Sequence, residues 1–198
     1  MVKGDIGATV QNMRADGGLL LAGIFAYLIS FICDLIVAWA LYVLLIPVNR
    51  SVSLLTAWFR LMYTAIALFG FLKLVTVFRL LNSPDYLAVF GSDQLHAQIR
   101  LLLGAFRYEW GIGLILFGIH LLLLAYLVYR SAYIPKFLGI LLLFAGLGWV
   151  AHELGPYLLP DADLGFLFFT FLGESVFMLW LLFRGWKLQQ PVRQRETV

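Results

Sequence analysis

Apolar residues fill this chain in long blocks separated by short polar punctuation, and the blocks define its elements. Five of them reach the roughly 20 residues that a helix needs to cross a hydrocarbon core: residues 19–46, 53–81, 107–129, 135–153 and 164–186. Pro47 and Asn49 close the first block, and Asn82, Ser83 and Pro84 close the second. Pro135 opens the fourth at a favourable first-turn position, and the block fades near Glu153, before Pro156 and Pro160. By periodicity alone the Leu-rich runs fit a helix or a buried strand; their length decides for helix. The fold class is therefore all-α, an integral membrane bundle of five transmembrane helices forming a single membrane domain over residues 1–198. The first block is too long for a cleavable signal peptide and has no small-residue cleavage site after a short apolar core, so it is expected to be a retained span.

One stretch follows a different rule. Leu95, Ile99, Leu102, Leu103 and Phe106 recur with helical spacing, while Gln94, His96, Gln98 and Arg100 take the opposite face. That pattern predicts an amphipathic helix over residues 93–106, lying in the membrane interface or capping the third span.

Composition narrows the class further. Of 198 residues, 63% are hydrophobic and only 13% charged, against about 25% charged in ordinary soluble domains. The mean hydropathy is +0.93. A soluble fold of this size lacks the interior to hide so much apolar surface. A soluble enzyme, a disordered tail and a nucleic-acid-binding domain are thereby excluded, and membrane lipid becomes the expected partner. Cys33 stands alone, which removes a disulfide framework and Cys-based metal sites.

The net charge of +3 comes mainly from residues flanking the blocks. Arg50, Arg130, Lys136, Arg184, Lys187, Arg193 and Arg195 gather on one side; Lys3 and Arg14 fall on the other, joined by Arg79, Arg100 and Arg107 if the amphipathic stretch is counted. Basic loops stay cytoplasmic. The expectation is a protein of the cell inner (plasma) membrane with its C-terminus in the cytoplasm and its N-terminus outside.

A charged side chain inside a span costs about 2.5–3.5 kcal/mol on insertion scales, so each needs a partner or a purpose. With a rise of about 1.5 Å per residue, Asp34, His120 and Glu174 fall near one depth on the first, third and fifth spans. Arg60, about two turns inside the second span, can reach Asp34. Glu109, His152 and Glu153, together with Lys73 and Arg107, form a second group nearer the outer face. Polar stripes support an interior site: Tyr27, Ser30, Asp34 and Ala38 on the first span; Ser53, Thr56, Arg60, Tyr63 and Thr64 on the second; Thr170, Glu174 and Met178 on the fifth.

Plainer readings stand beside these. Asp34 and Arg60 fit a structural ion pair, since buried pairs are not automatically functional. His120 fits a simple interhelical hydrogen bond, and the second group fits an interfacial setting. Trp149 and most other tryptophans fit packing or an interface belt, and Gly146 with Gly148 fit close helix packing. Glu174 is the hardest to explain structurally, because His120 is the only basic group at its depth. Three histidines without paired spacing leave no metal site to expect, and neither a P-loop nor a dinucleotide fingerprint occurs; no cofactor is expected.

Several segments resemble an uncharacterised bacterial polytopic membrane family, domain of unknown function 4386. They are LYVLLIPVNR from Leu41, Phe59-Arg60-Leu61, LFGIHLLLLAYLVYRSAYIPK from Leu116 and GESVFMLWLLFRGWK from Gly173. Asp34, Arg60, His120 and Glu174 lie within or beside them. The resemblance implies a polytopic helical protein and supplies no activity. Against that family's pattern this chain opens at what looks like the second helix, so an N-terminal span is expected to be lacking.

Two functions from different classes use these residues. In the first, an enzyme isomerises or cyclises a lipophilic, isoprenoid or sterol-like small molecule by proton transfer. A carboxyl group withheld from water favours its neutral form and becomes a general acid. Glu174 or Asp34 would donate, His120 would accept or relay, and Tyr27, Tyr63 and Trp149 would stabilise developing positive charge through their ring faces. Arg60, Glu109, His152 and Glu153 would organise the site. In the second, a transporter or sensor uses the same groups as a proton or ligand site, although no half-helix break is visible at the midplane. A membrane scaffold without a small-molecule site is the remaining alternative.

Overall fold

The computed structural model describes residues 5–83, 90–159 and 164–187, apart from the side chain of Lys187. Lys3, Pro84, Pro160, Asp161, Asp163, Arg193 and Arg195 lie outside the described residues. Helices account for the architecture: α1 Ile6–Ala15, α2 Gly17–Leu45, α3 Arg50–Asn82, α4 Ser92–Arg130, α5 Lys136–Leu158 and α6 Leu172–Arg184, with 3-10 turns over Gly165–Phe171 and Gly185–Lys187. No strand occurs among the described residues. Five helical segments are long and apolar enough to cross a membrane, and only 11% to 44% of each apolar window is buried inside the protein. Most of the apolar side chains thus face outward, as a hydrocarbon solvent allows and water does not. This is a multi-pass membrane protein.

By contacts between Cα atoms the chain forms two compact units, one from Met1–Cys33 with Thr64–Gly111, the other from Asp34–Tyr63 with Ile112–Val198. In the first, Val10, Val77, Leu80, Leu81, Leu95, Ile99 and Leu103 form the core. In the second, Leu41, Leu45, Leu124, Leu127, Val128, Leu138, Leu142 and Phe177 do so.

Four local features depart from the sequence expectation, each with a physical reason. Helix α1 was not expected; Asp5 caps it by accepting the Ala8 N–H at 2.9 Å, and Thr9 and Val10 are buried. The amphipathic stretch is present, with Leu95, Ile99 and Leu103 on its buried side, but it continues without a break into the third span. Ser92–Arg130 is one helix of 39 residues, about 58 Å long at 1.5 Å per residue, against a hydrocarbon core of about 30 Å. Nothing between Phe106 and Arg107 interrupts hydrogen bonding, so the polar face changes without a turn.

Helix α5 begins after Pro135, which caps it instead of occupying its first turn, and runs through Pro156 to Leu158. A proline hinders helical geometry by clashing with the Cβ of the residue before it. Here that residue is Gly155, which has no Cβ. Finally, the fifth span starts as a 3-10 helix over Gly165–Phe171 and becomes α-helical at Leu172. Aromatic residues and Thr170 have low α-helical propensity, and Thr170 Oγ1 donates to the Leu167 carbonyl three residues back, at 2.7 Å.

Joints in the second unit are specific. Asn49, read from the sequence as a stop, also caps the next helix, its side-chain oxygen accepting the Val52 N–H at 3.0 Å. Ser53 Oγ donates to the Tyr42 carbonyl at 2.9 Å, and Tyr133 Oη to the Leu44 carbonyl at 2.5 Å. Burial raises the Tyr133 phenol above its ordinary value, which keeps it a donor. Helices α4 and α5 cross at Gly118 and Gly146, where a Cβ on Gly118 would stand 2.9 Å from the Gly146 carbonyl oxygen, and one on Gly146 2.8 Å from that of Gly118. The small-residue packing expected of Gly146 and Gly148 is therefore real: Gly148 receives the Thr170 side chain, and Gly173 rests on the Leu141 backbone.

Candidate functional site

The second unit brings Asp34, Arg60, His120 and Glu174 to one place. Helix α2 supplies Asp34, α3 supplies Arg60, α4 supplies His120 and α6 supplies Glu174. Arg60 is the hub. Its Nη2 donates to Asp34 Oδ1 at 2.5 Å, and its Nη1 stands 3.4 Å from His120 Nε2. The guanidinium carbon lies 5.5 Å from the centre of the Phe117 ring, a cation–π contact. Only 15% of the Arg60 side chain and 17% of the Asp34 side chain is exposed.

This geometry fixes the histidine. Arginine has donors and no acceptor, so His120 Nε2 faces it as an acceptor and the ring proton sits on Nδ1. That nitrogen is 2.8 Å from the Thr56 carbonyl oxygen and donates to it. His120 is fully buried and stacks on Phe117 with ring centres 5.7 Å apart. Both of its nitrogens are engaged. A proton-relay role for His120 would require breaking one of these contacts, and Asp34 is likewise committed to Arg60.

Glu174 differs. It interacts electrostatically with both Arg60 and Asp34, and the Trp149 indole N–H is turned toward its carboxyl group. Yet neither Trp149 Nε1 nor Glu174 Oε2 has a partner in hydrogen-bonding geometry, although both atoms are buried. A buried polar atom left without a partner costs about 1–3 kcal/mol, and such atoms in native proteins call for an explanation. The α-helix begins two residues before Glu174, at the end of the 3-10 stretch. Gly173 pressed against Leu141 then sets the carboxylate's distance from α5.

The other expected residues are placed as follows. Tyr63 packs on Phe117, ring centres 4.9 Å apart, and so belongs to the same cluster. Trp149 makes edge contacts with His152 at 6.4 Å and Phe168 at 6.2 Å. His152 Nδ1 and Glu153 Oε1 are 3.2 Å apart and satisfy each other. Tyr27 and Glu109 are in the first unit. There Tyr27 meets Trp110 edge-on at 5.4 Å, and Glu109 pairs with Lys73 at 3.4 Å, its Oε2 buried and unpartnered. Two members of the expected polar stripes point elsewhere: Ser30 is exposed and donates back to the Ala26 carbonyl at 3.0 Å, and Met178 is 62% exposed. Among the described residues, no three His, Cys, Asp or Glu side chains come together as metal ligands would.

Sequence reasoning did not single out Phe117 or the Thr56 carbonyl, the two groups that hold Arg60 and His120 in register. Phe117 lies three residues before His120, which is helical spacing for a shared face, and that was the available signal. A carbonyl acceptor leaves none.

Comparison with known proteins gives a family and no chemistry. Residues 1–185 match the family described as domain of unknown function 4386. A relative from Archaeoglobus fulgidus, described as an uncharacterized protein, is 35% identical over 172 residues, which is 87% of each chain. No solved structure matches.

Proposed function

Since the chain belongs to the family of domain of unknown function 4386, whose description states no activity, we propose a role from the site itself: an acid–base membrane enzyme that isomerises or cyclises a lipophilic, isoprenoid-like alkene. Glu174 is the proton donor. The observation that carries this reading is Glu174 Oε2, a buried carboxyl oxygen with no hydrogen-bond partner beside an ion pair that is already internally neutral. An uncompensated carboxylate in apolar surroundings is expensive, and holding a proton removes that cost.

In the reaction, the Glu174 O–H proton adds to one alkene carbon and the π pair forms the new C–H bond, leaving a carbocation at the neighbouring carbon. The carboxylate then takes a proton from an adjacent carbon, whose C–H pair becomes the new double bond. Nothing is oxidised or reduced, and the enzyme returns to its starting state. The aromatic ring of Trp149, whose indole N–H is turned toward the Glu174 carboxyl group, stabilises the cation. Asp34, Arg60 and His120 position and balance charge around the acid, a narrower part than donor or relay. Residues Arg50, Arg130, Lys136 and Arg184 support a cytoplasmic C-terminus in the inner membrane.

The test uses proteoliposomes in D2O with a panel of isoprenoid alkenes, read by mass spectrometry. The expected result is deuterium incorporation with at least one substrate, lowered about 100-fold or more in Glu174→Gln, the scale of one general acid. Incorporation unchanged in Glu174→Gln would overturn the assignment. A second reading, proton-coupled transport or sensing, is favoured by one observation: the fifth span changes from 3-10 to α-helix at Leu172, next to Glu174, and broken helices often mark transport sites. Glu174-dependent proton uptake into the same liposomes, with no deuterated product, would select it.

A further inference from the structure

Within the first unit a half-open cleft of about 410 Å³ lies between the end of α3 and the start of α4, lined by Thr76, Arg79, Leu80, Phe90, Gln98, Leu101 and Leu102. That volume falls in the range of small-molecule sites, about 300–1,000 Å³. Its wall is mostly apolar, with Leu80, Phe90, Leu101 and Leu102 beside the polar Thr76, Arg79 and Gln98. Arg79 is the charged group on it among the described residues, and no described acidic side chain lines it. Arg79 forms no ion pair with a carboxylate among the described residues. Thr76 is already committed, its hydroxyl donating to the Leu72 carbonyl at 2.9 Å.

A cation in the last turn of a helix also complements the helix dipole, but that accounts for Arg79 alone and not for the cleft beside it. Leu101, on the cleft wall, is 73% exposed. At the end of a span an arginine reaches the headgroup level while its methylenes stay in apolar surroundings. We propose that this cleft binds a membrane lipid with an anionic phosphate headgroup, the acyl chain lying along Leu80, Leu101 and Leu102 and the headgroup on Arg79 and Gln98. The volume admits one acyl chain, and Arg79, without a carboxylate partner among the described residues, supplies the preference for net negative charge.

Native mass spectrometry of the purified full chain tests this, titrating phosphatidylglycerol against phosphatidylcholine of the same acyl chains. Phosphatidylglycerol should bind about fivefold more tightly, the scale of one arginine at a headgroup. Arg79→Gln should erase that preference, and Arg100→Gln, which removes an exposed arginine outside the cleft, should leave it intact. Arg79 is exposed, so the variant is expected to fold, and circular dichroism checks that it does. Glycerol phosphate, the headgroup without chains, should fail to compete. Equal affinity for the two lipids, equal losses in the two variants, or effective competition by glycerol phosphate would each overturn the proposal.

Discussion

Arg60 shows why single residues in this protein are hard to replace. Its guanidinium serves three partners in different directions: Asp34, His120 and the Phe117 ring. A lysine ammonium is a point charge without a planar fork. Arg60→Lys is therefore expected to keep Asp34 compensated while losing the histidine contact and much of the ring contact. Arg60→Leu leaves the Asp34 carboxylate alone in a mostly buried setting and should destabilise by about 3–5 kcal/mol. Adding Asp34→Leu to Arg60→Leu should recover most of that loss, because two apolar groups leave no buried charge behind. Thermal unfolding in detergent measures all four proteins; a double variant as unstable as Arg60→Leu would refute the pairing. Asp34 and Arg60 were legible in the sequence because a charge inside an apolar run is conspicuous. The acceptor role of His120 was not, since it follows from the Arg60 donor and the Thr56 carbonyl meeting one ring from two sides.

Element-scale features were legible in proportion to how strongly the chain punctuates them. Asn49 ends one helix and caps the next, and both facts follow from its type and place. The continuity of α4 was not legible: a change from one-sided to all-round apolarity at residue 107 resembles a boundary, yet a helix needs a breaker to stop and none is there. The 3-10 start of the fifth span was hidden for the opposite reason, since its apolar pattern suits either geometry. Crossing glycines give the sharpest prediction at this scale. Gly118→Ala would place a Cβ 2.7 Å from Val150 Cγ2 and 2.9 Å from the Gly146 carbonyl oxygen, and should cost about 1–3 kcal/mol through overpacking. Gly104→Ala, on the same helix with nothing within 4 Å of the added atom, should be neutral or stabilising by up to about 1 kcal/mol from helix propensity. Equal unfolding temperatures for the two variants would contradict a close α4–α5 crossing.

Taken whole, the molecule is a helical membrane protein whose class was set by its scarcity of charge, and whose candidate site came from the exceptions to that scarcity. Depth arithmetic at 1.5 Å per residue placed Asp34, His120 and Glu174 level, and the helices bring them together around Arg60. What depth cannot give is azimuth in detail, which is why Ser30 and Met178 were expected inside and point outward. Charge accounting then separates the roles. Asp34 and Arg60 cancel, His120 has both nitrogens engaged, and the exchangeable proton of the proposed reaction is assigned to Glu174. The most direct measurement is infrared spectroscopy of the carboxyl C=O stretch in proteoliposomes at neutral pH, with wild type, Glu174→Gln and Glu109→Gln compared in H2O and D2O. A protonated-carboxyl band that shifts in D2O, persists in Glu109→Gln and vanishes in Glu174→Gln is the result predicted here. A band unchanged by Glu174→Gln, or no such band in the wild type, would contradict the assignment of the proton to Glu174.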